Sequence, residues 1–282
     1  ECDRRTLRGR AIVPAMSGTR WLALAALSIL TVLASPVRAE DQPVDLELVL
    51  AVDVSMSMDM GEQKLQRDGY VAALKDPEVL AAISDGVHRR IAVTYVEWAG
   101  TGSQQVLMPW TLIDGPAPAT AFADKLATMP VGRMRRTSIS SALEFTGRMF
   151  EESGFEGMRR VIDVSGDGPN NQGVPVTLMR DTLASQGVVI NGLAIMIGRS
   201  GGFGSMFDIA RLDEYYEDCV IGGPGAFVVS VTDKREFAAA IRRKMILEIA
   251  GIEMRALPIA ARQPADCLIG ERQWQYWMER QE

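Results

Sequence analysis

The sequence predicts an α/β domain with a doubly wound, mainly parallel sheet, one antiparallel edge strand, and helices on both faces. Along residues 44–250, short aliphatic segments alternate with segments of helical period, the pattern of successive βα units. The aliphatic segments are nearly continuous, as in strands that are buried on both faces. At one place only a short turn, residues 99–103, separates two strands, and such a turn requires an antiparallel pair.

The first half of the domain supplies the centre and one edge of this sheet. Residues 46–52 form an aliphatic run that ends at Asp53, which is typical of a central parallel strand. A helix is predicted at residues 63–74. Residues 90–98 and 105–113 then form the antiparallel edge pair.

The second half continues the alternation of strands and helices. Pro175 and Asp233 mark helix starts, because proline suits the first turn and an acidic residue favours the positive end of the helix dipole. The predicted strands are residues 160–165, 188–197 and 226–231. The predicted helices are residues 118–129, 138–152, 175–186, 207–217 and 233–249.

The N-terminal segment has the features of an export signal. Residues 16–39 combine Arg20, a short apolar run and a small-residue cleavage pattern, and the run is shorter than the about 20 residues that span a bilayer. We therefore expect a signal peptide, with an uncleaved anchor as the alternative. Residues 1–15 are interpreted as an upstream extension. The mature chain is expected to be periplasmic or secreted, without a membrane span.

Charge and length limit the function of the mature chain. Removing residues 1–39 changes the net charge from −6 to −10, with 34 acidic and 24 basic groups left. A nucleic-acid partner is not expected, because binding phosphates requires a basic face. The length suits one large domain with a buried sheet.

Two cysteines remain after cleavage, Cys219 and Cys267. An even pair in an oxidising compartment favours a disulfide, although two free thiols are the alternative. The bridge would tie the C-terminal tail, residues 251–282, back to the domain. That tail contains Trp274 and Trp277, which form either a docking element or an apolar patch folded against the domain.

Oxygen-bearing side chains follow the first central strand. Asp53, Ser55 and Ser57 occupy alternate positions directly beyond its carboxyl end, where ligands bind in open α/β sheets. Carboxylate and hydroxyl oxygens suit a hard divalent cation such as Mg²⁺. The alternative is a turn in which Asp53 and Ser55 cap the following helix.

Two further residues extend this pattern. Thr137 precedes a predicted helix, and Asp167 follows the strand at residues 160–165 in a Gly-Asp-Gly sequence. The whole pattern resembles the metal-ion-dependent adhesion site of von Willebrand factor A domains, over residues 44–250. More narrowly, residues 164–171 and 218–227 resemble a bacterial family of exported A-type domains that has no established activity.

The resemblance implies that Asp53, Ser55, Ser57, Thr137 and Asp167 hold a divalent cation, Mg²⁺ or Mn²⁺ with Ca²⁺ as the alternative. It also implies a protein partner that offers a carboxylate to the ion. The sequence departs from the pattern at Gly166, where many A domains have Thr or Ser. Asp163 lies in the middle of an apolar strand, and we expect it to bond loop backbone or pair with an Arg instead of binding the metal. Asn170 and Asn171 are expected to build the turn after Asp167, with a part in shaping the site as the alternative.

No catalytic constellation emerges. Residues 198–202 match the G-x-S-x-G pattern of serine hydrolases, but the chain has one histidine, His88, and it precedes Ser200. Zinc is not expected, because one His and two cysteines in a bridge cannot supply its usual ligands. We therefore expect a metal-dependent binding module and no enzyme. The alternatives are a structural A-type domain without a functional metal site and, more distantly, a hydrolase.

Overall fold

The computed structural model describes residues 41–197, 208–251 and 262–280. The strands are β1 (Gln42–Val44), β2 (Leu46–Asp53), β3 (Ile91–Trp98), β4 (Gln104–Ile113), β5 (Phe155–Gly157), β6 (Arg160–Gly166), β7 (Val188–Ile195) and β8 (Val228–Val231). The α-helices are α1 (Met60–Leu74), α2 (Pro77–Ser84), α3 (Pro116–Thr128), α4 (Ile139–Arg148), α5 (Val176–Ser185), α6 (Leu212–Tyr215), α7 (Phe237–Ala250) and α8 (Ile269–Glu279). Two 3₁₀ turns, Met149–Glu152 and Lys234–Glu236, and a π-helical turn, Tyr216–Val220, complete the described elements.

The central sheet confirms the predicted fold class. Its six described strands lie in the order β4-β3-β2-β6-β7-β8. Every neighbouring pair is parallel except β3 and β4, which form the antiparallel edge. β1 and β5 make a separate short parallel pair. Pro109 lies in β4, which fits an edge strand because proline cannot donate to a second neighbour.

Apolar side chains alternate between the two faces of the sheet and build one core on each. Leu48 and Leu50 of β2 pack with residues of α1, α2, α3 and α7. Val49 and Ala51 of the same strand pack with residues of α4, α5 and α6. β2 is buried along its whole length, because strands flank it on both edges and helices cover both faces. This is the doubly wound arrangement that the sequence predicts.

Several element boundaries differ from the prediction. Helix α2 was not predicted, although Asp76 accepts a hydrogen bond from the Glu78 N–H and Pro77 occupies the first turn. The helix predicted at residues 207–217 is short: α6 begins at Leu212 and continues as the π-helical turn to Val220. Helix α1 begins earlier than predicted, because Asp59 caps it and forms a reciprocal capping box with Glu62.

A buried ionic cluster explains the carboxylate in the middle of β6. The Lys244 ammonium of α7 lies 2.7 Å from Asp163 Oδ1 and also pairs with Glu248. The Tyr70 hydroxyl donates to Asp163 Oδ2 at 3.2 Å, and the Asn191 amide donates to Glu248 at 3.1 Å. The expected partner, an arginine or loop backbone, was wrong: the cation is a lysine from the helix that covers this strand.

Some predicted features lie outside the described residues. They are the upstream extension (1–15), the signal peptide (16–39), the G-x-S-x-G segment (198–202) and the first part of the tail (252–261). Among the helices that the structure describes, none combines the length and apolar character needed to cross a membrane.

Candidate metal centre

The loop after β2 is shaped by its own polar groups. Asp53 Oδ1 accepts a hydrogen bond from the Ser55 N–H at 2.7 Å, which turns the chain sharply beyond the strand. The Gln63 side chain of α1 donates to the Ser55 carbonyl at 3.1 Å and fixes the other side of the turn. The Ser55 and Ser57 hydroxyls then lie 2.7 Å apart. The loop therefore gathers its carboxylate and hydroxyls on one side.

Asp167 joins this group because β2 and β6 are parallel neighbours. Val52 pairs with Ser165, so the two strands end side by side at the same edge of the sheet. The Ser57 hydroxyl donates to Asp167 Oδ1 at 2.7 Å. The structure therefore brings Asp53, Ser55, Ser57 and Asp167 into one hydrogen-bonded group.

Thr137 reaches the site through a third segment, which follows α3. The Met134 N–H donates to the Val54 carbonyl at 3.0 Å, so this segment lies directly beside the first loop. Asn171 holds Thr137 in place, because its side chain accepts from the Thr137 N–H at 3.0 Å and its own N–H donates to the Thr137 carbonyl at 2.8 Å. Thr137 is buried and lines the same cavity as Ser55 and Ser57. Asn171 is thus more than a turn residue: it positions a proposed ligand.

A buried ion pair fixes the Thr137 segment from behind. Arg67 of α1 pairs with Glu97 of β3, and the other Glu97 oxygen accepts from the Gly132 N–H at 3.0 Å. Arg67 also donates to the Leu126 carbonyl at 3.1 Å. A Cβ on Gly132 would lie 2.6 Å from Glu97 Oε2, so glycine is needed for this close approach.

The electrostatics of the site favour an added cation. Asp53 is fully buried, and its Oδ2 has no hydrogen-bond partner among the described residues. Burial first, and the negative charge of Asp167 second, raise the pKa of Asp53 well above its ordinary value. A buried carboxylate beside a second carboxylate is costly unless a positive group compensates it.

Tyr216 is a site residue that sequence reasoning missed. Its hydroxyl is buried without a described hydrogen-bond partner, and burial together with the charges of Asp53 and Asp167 raises its pKa. A Cβ on Gly166 would lie 2.8 Å from this hydroxyl and 2.9 Å from Asp53 Oδ2. The glycine that departs from the adhesion-site pattern therefore makes room for a tyrosine. The only hint in the sequence is the departure itself.

The donor set fits a hard divalent cation. The group contains two carboxylates, of which Asp53 has a buried oxygen without a described hydrogen bond, and two hydroxyls; Thr137 adds a further hydroxyl that lines the cavity. Within the described ranges, no group of three or more His, Cys, Asp or Glu is placed to hold a metal. The candidate site thus has few charged ligands and several neutral oxygens, a set that suits Mg²⁺ or Mn²⁺ better than Zn²⁺.

A cavity of about 570 Å³ opens above these residues, and we call it the covered cavity. Ser55, Thr137 and Gly168 line its floor. Helix α8 forms its opposite wall with Trp274, Trp277 and Met278. The C-terminal tail is thus folded back to the candidate site. Its aromatic side chains share the cavity with the loops that carry Asp53, Ser55, Ser57, Thr137 and Asp167, which we call the metal-type loops.

The predicted disulfide joins Cys219 to Cys267, with a Cα–Cα separation of 5.4 Å. Cys219 lies in the π-helical turn that begins with Tyr216, and Cys267 lies directly before α8. The disulfide therefore links the C-terminal tail to the π-helical turn whose first residue, Tyr216, lies beside Asp53. Sequence reasoning predicted the bridge, but it did not predict the helix that the bridge holds.

The sequence model of one protein family matches nearly the whole of this domain. The sequence model of the family described as "Protein of unknown function (DUF1194)" matches residues 43–253. Among the curated proteins compared with the chain, none matches.

Solved structures with the same fold include proteins of adhesion and matrix assemblies. The pilus adhesin SpaC from Lactobacillus rhamnosus GG is 12% identical, with a TM-score of 0.54 over 74% of this chain and 31% of that chain. Proximal thread matrix protein 1 from the mussel byssus, in a structure with a zinc-occupied MIDAS motif, is 14% identical, with a TM-score of 0.51 over 75% and 50%. A von Willebrand factor type A protein from Catenulispora acidiphila is 16% identical, with a TM-score of 0.49 over 73% and 43%. The chain spans half or less of each of these chains, and at these identities the likeness to the first two, whose TM-scores exceed 0.5, shows a shared fold alone.

Proposed function

Since the chain belongs to the family described as "Protein of unknown function (DUF1194)", we propose that it is an exported, metal-dependent binding module for a protein partner. The proposed metal ligands are Asp53, Ser55, Ser57, Thr137 and Asp167. The proposed ion is Mg²⁺ or Mn²⁺. The partner contributes a carboxylate to the ion.

The observation that carries this proposal is the state of Asp53. Its Oδ2 is buried without a described hydrogen-bond partner, next to the charge of Asp167 and the hydroxyls of Ser55 and Ser57. Such an arrangement destabilises the metal-free fold, and a divalent cation relieves it. Burying a carboxylate oxygen without a hydrogen bond is costly, and a bound cation at this position would offset that cost.

The proposed ligands and the residues that position them have different roles in binding the cation. Asp53 and Asp167 supply two negative charges, which formally neutralise a divalent ion and leave it attractive to a further anionic oxygen. Ser57 orients Asp167 through its 2.7 Å hydrogen bond, and Ser55 in turn contacts Ser57. Asn171 keeps Thr137 at the cavity wall. When bound, the cation supplies the positive charge that attracts the partner's carboxylate.

Export is proposed from two features of the chain. Residues 16–39 have the composition of a signal peptide, and the Cys219–Cys267 bridge is typical of proteins in an oxidising compartment. The adhesin and matrix proteins that share the fold are in keeping with a binding function.

Calorimetric titration of Mn²⁺ into chelator-treated protein tests the metal site directly. We expect saturable heat from wild type, and its loss in Asp53→Asn and in Asp167→Asn. Asp114→Asn is the matched control, because Asp114 is an exposed acid at the end of β4, away from the site loops. Equal heats from wild type and both site variants would favour the alternative, a structural domain whose partner contacts lie elsewhere.

The hydrolase alternative has little support from the described residues. His88 lies before β3, and its N–H donates to Asp45 at 2.9 Å. It therefore sits at the amino ends of the parallel strands, opposite the candidate site. A screen of simple esters and phosphoesters with wild type and Ser200→Ala tests this alternative, and no Ser200-dependent turnover is expected.

A further inference from the structure

Helix α8 is a fixed wall of the covered cavity. A Cβ on Gly270 would lie 2.1 Å from the Asn170 carbonyl oxygen, so the helix begins in direct contact with the loop after Asp167. Glu271 accepts a hydrogen bond from the Asn170 amide at 2.7 Å. The Cys219–Cys267 bridge and the ion pairs of Arg262 with Glu217 and Asp218 hold the segment before the helix. Covalent, steric and polar contacts thus fix α8 beside the metal-type loops.

Arg136 connects this wall to the metal-type loops. It directly precedes Thr137, and its backbone is in the left-handed region with φ of 74°. A non-glycine residue there is strained, and such backbone strain is often found at functional sites. The Arg136 guanidinium carbon lies 3.2 Å from the centre of the Trp274 ring. The strained backbone therefore places a cation on the aromatic wall next to a proposed ligand.

The lining of the covered cavity combines an apolar aromatic surface with positively charged side chains. Trp274 and Trp277, with ring centres 4.8 Å apart, present an apolar aromatic surface. Arg135 and Arg136 also line the cavity, against one carboxylate, Asp208. A ligand that fits this lining has a negative group close to an apolar group. The volume, about 570 Å³, is that of a site for a small molecule or a short chain segment.

We propose that the covered cavity binds the C-terminal end of an extended peptide chain, with its α-carboxylate toward the metal-type loops and an apolar last side chain against Trp274 and Trp277. This inference rests on the proposed function, and it specifies how the partner presents its carboxylate. Ser55 and Thr137 are only 1% and 4% exposed and line the same cavity as residues of α8, so a flat protein surface would not reach them. A chain end reaches them, and it places a carboxylate and a side chain on the same carbon.

Fluorescence anisotropy with labelled pentapeptides tests the proposal. The peptides carry an N-terminal label and end in phenylalanine as the free acid, phenylalanine as the amide, or glycine as the free acid. In saturating Mn²⁺ we expect the phenylalanine acid to bind best. The amide should bind at least about tenfold more weakly, because it lacks the charge that the site attracts. A chelator should abolish binding of the acid.

Variants of α8 test the aromatic wall. Trp274→Ala and Trp277→Ala should each reduce the preference for phenylalanine over glycine by roughly fivefold, the usual effect of one aromatic contact. Tyr276→Ala is the matched control, because Tyr276 lies on the same helix, is 61% exposed and is not part of the cavity lining. An intact Cys219–Cys267 bridge and an unchanged Mn²⁺ titration show that α8 and the site are retained. Trp274→Leu keeps an apolar wall and should retain part of the preference.

The outcomes separate this inference from the proposed function. Equal binding of the acid and the amide would overturn the inference, as would an unchanged phenylalanine preference in both wall variants. Mn²⁺ binding with no peptide binding would also overturn it and leave the metal site standing. Absence of Mn²⁺ binding in wild type would overturn the proposed function itself.

Discussion

This domain contains two pairs of buried carboxylates, and the groups that contact them differ. Asp163 and Glu248 lie against the middle of the sheet, with the Lys244 ammonium between them and the Tyr70 and Asn191 side chains donating hydrogen bonds. Asp53 and Asp167 lie at the carboxyl ends of the strands, where Ser55, Ser57 and backbone N–H groups provide the described contacts. The first pair has a cation from the protein itself.

Under the proposed function, this difference separates a structural cluster from a metal-binding site. We call Asp163, Glu248 and Lys244 the lysine cluster. Its lysine is the counter-charge of its carboxylates, so the cluster contributes to the fold without any ligand. Asp53 Oδ2 and Glu248 Oε2 are both buried without a described hydrogen bond, so the first pair is marked by the counter-charge of Lys244 and not by complete hydrogen bonding. The carboxylates of the first pair contact a lysine ammonium, whereas the described contacts of Asp53 are hydroxyl and backbone N–H groups. The comparison therefore makes opposite predictions for similar substitutions.

Removing the internal cation should have the largest effect. Lys244→Met leaves two buried carboxylates without their counter-charge, and we expect the free energy of unfolding to fall by about 3–5 kcal/mol. Urea unfolding followed by circular dichroism measures this change. Arg243→Met is the matched control, because Arg243 is the exposed neighbour on the same helix and should change stability by less than about 0.5 kcal/mol. Similar stability of both variants would show that Lys244 does not balance the cluster.

The lysine cluster should also make stability depend on pH. Burial, and then the charge of Asp163, raise the pKa of Glu248 from 4.5 to about 7, despite the opposing effect of Lys244. Between these values the folded protein retains a proton that the unfolded chain has released, so the free energy of unfolding falls as pH rises through this window. The expected fall is up to about 3 kcal/mol. Urea unfolding at several pH values measures the difference between wild type and Glu248→Gln.

In Glu248→Gln this part of the pH dependence should disappear, because the titrating group is gone. Glu236→Gln, an exposed acid before the same helix, should keep the wild-type profile. A difference between wild type and Glu248→Gln that stays constant from pH 4.5 to 7 would contradict the assignment.

The strand-end pair should respond to added metal instead. At a Mn²⁺ concentration about 100 times its dissociation constant, we expect the free energy of unfolding to rise by about 2.7 kcal/mol. Asp53→Asn should lose this increment and should be no less stable than wild type without metal, because it removes a buried like charge. Lys244→Met should keep the increment. Thermal unfolding with and without Mn²⁺ provides the measurement, and an equal rise in wild type and Asp53→Asn would place the ion elsewhere.

The sequence predicted the fold because its signals are local. The aliphatic run before Asp53 and the short turn after Trp98 define a central strand and an antiparallel edge without tertiary information. Helix α2 was not predicted, although it too has a local signal, since Asp76 followed by Pro77 is a standard helix start. The π-helical turn after α6 has no comparable local signal.

The candidate site was predictable only in part. The alternation of Asp53, Ser55 and Ser57 is visible in the sequence, and parallel pairing of β2 with β6 brings Asp167 beside them. Tyr216 could not be predicted, because it reaches Asp53 only through the packing of the π-helical turn against Gly166. The wall formed by α8 depends on a contact between residues 100 positions apart, Gly270 and Asn170. Such long-range contacts have no periodic signature in a single sequence.

The smallest expected effects come from two adjacent tyrosines, and they should differ in sign. The Tyr216 hydroxyl is buried without a described partner, so Tyr216→Phe should raise the free energy of unfolding of the metal-free protein by up to about 1 kcal/mol. The Tyr215 hydroxyl accepts a hydrogen bond from the Asn170 N–H at 3.1 Å. Tyr215→Phe leaves that buried N–H unpaired and should lower stability by about 1 kcal/mol.

Each tyrosine variant is the control for the other, since both lose one hydroxyl from neighbouring positions of similar burial. Urea unfolding in chelator measures both. A loss of stability in Tyr216→Phe equal to that in Tyr215→Phe would mean that the Tyr216 hydroxyl is already satisfied in the metal-free protein. The strand ends would then lose one of the two unpartnered oxygens, Asp53 Oδ2 and the Tyr216 hydroxyl oxygen, that support a binding site there.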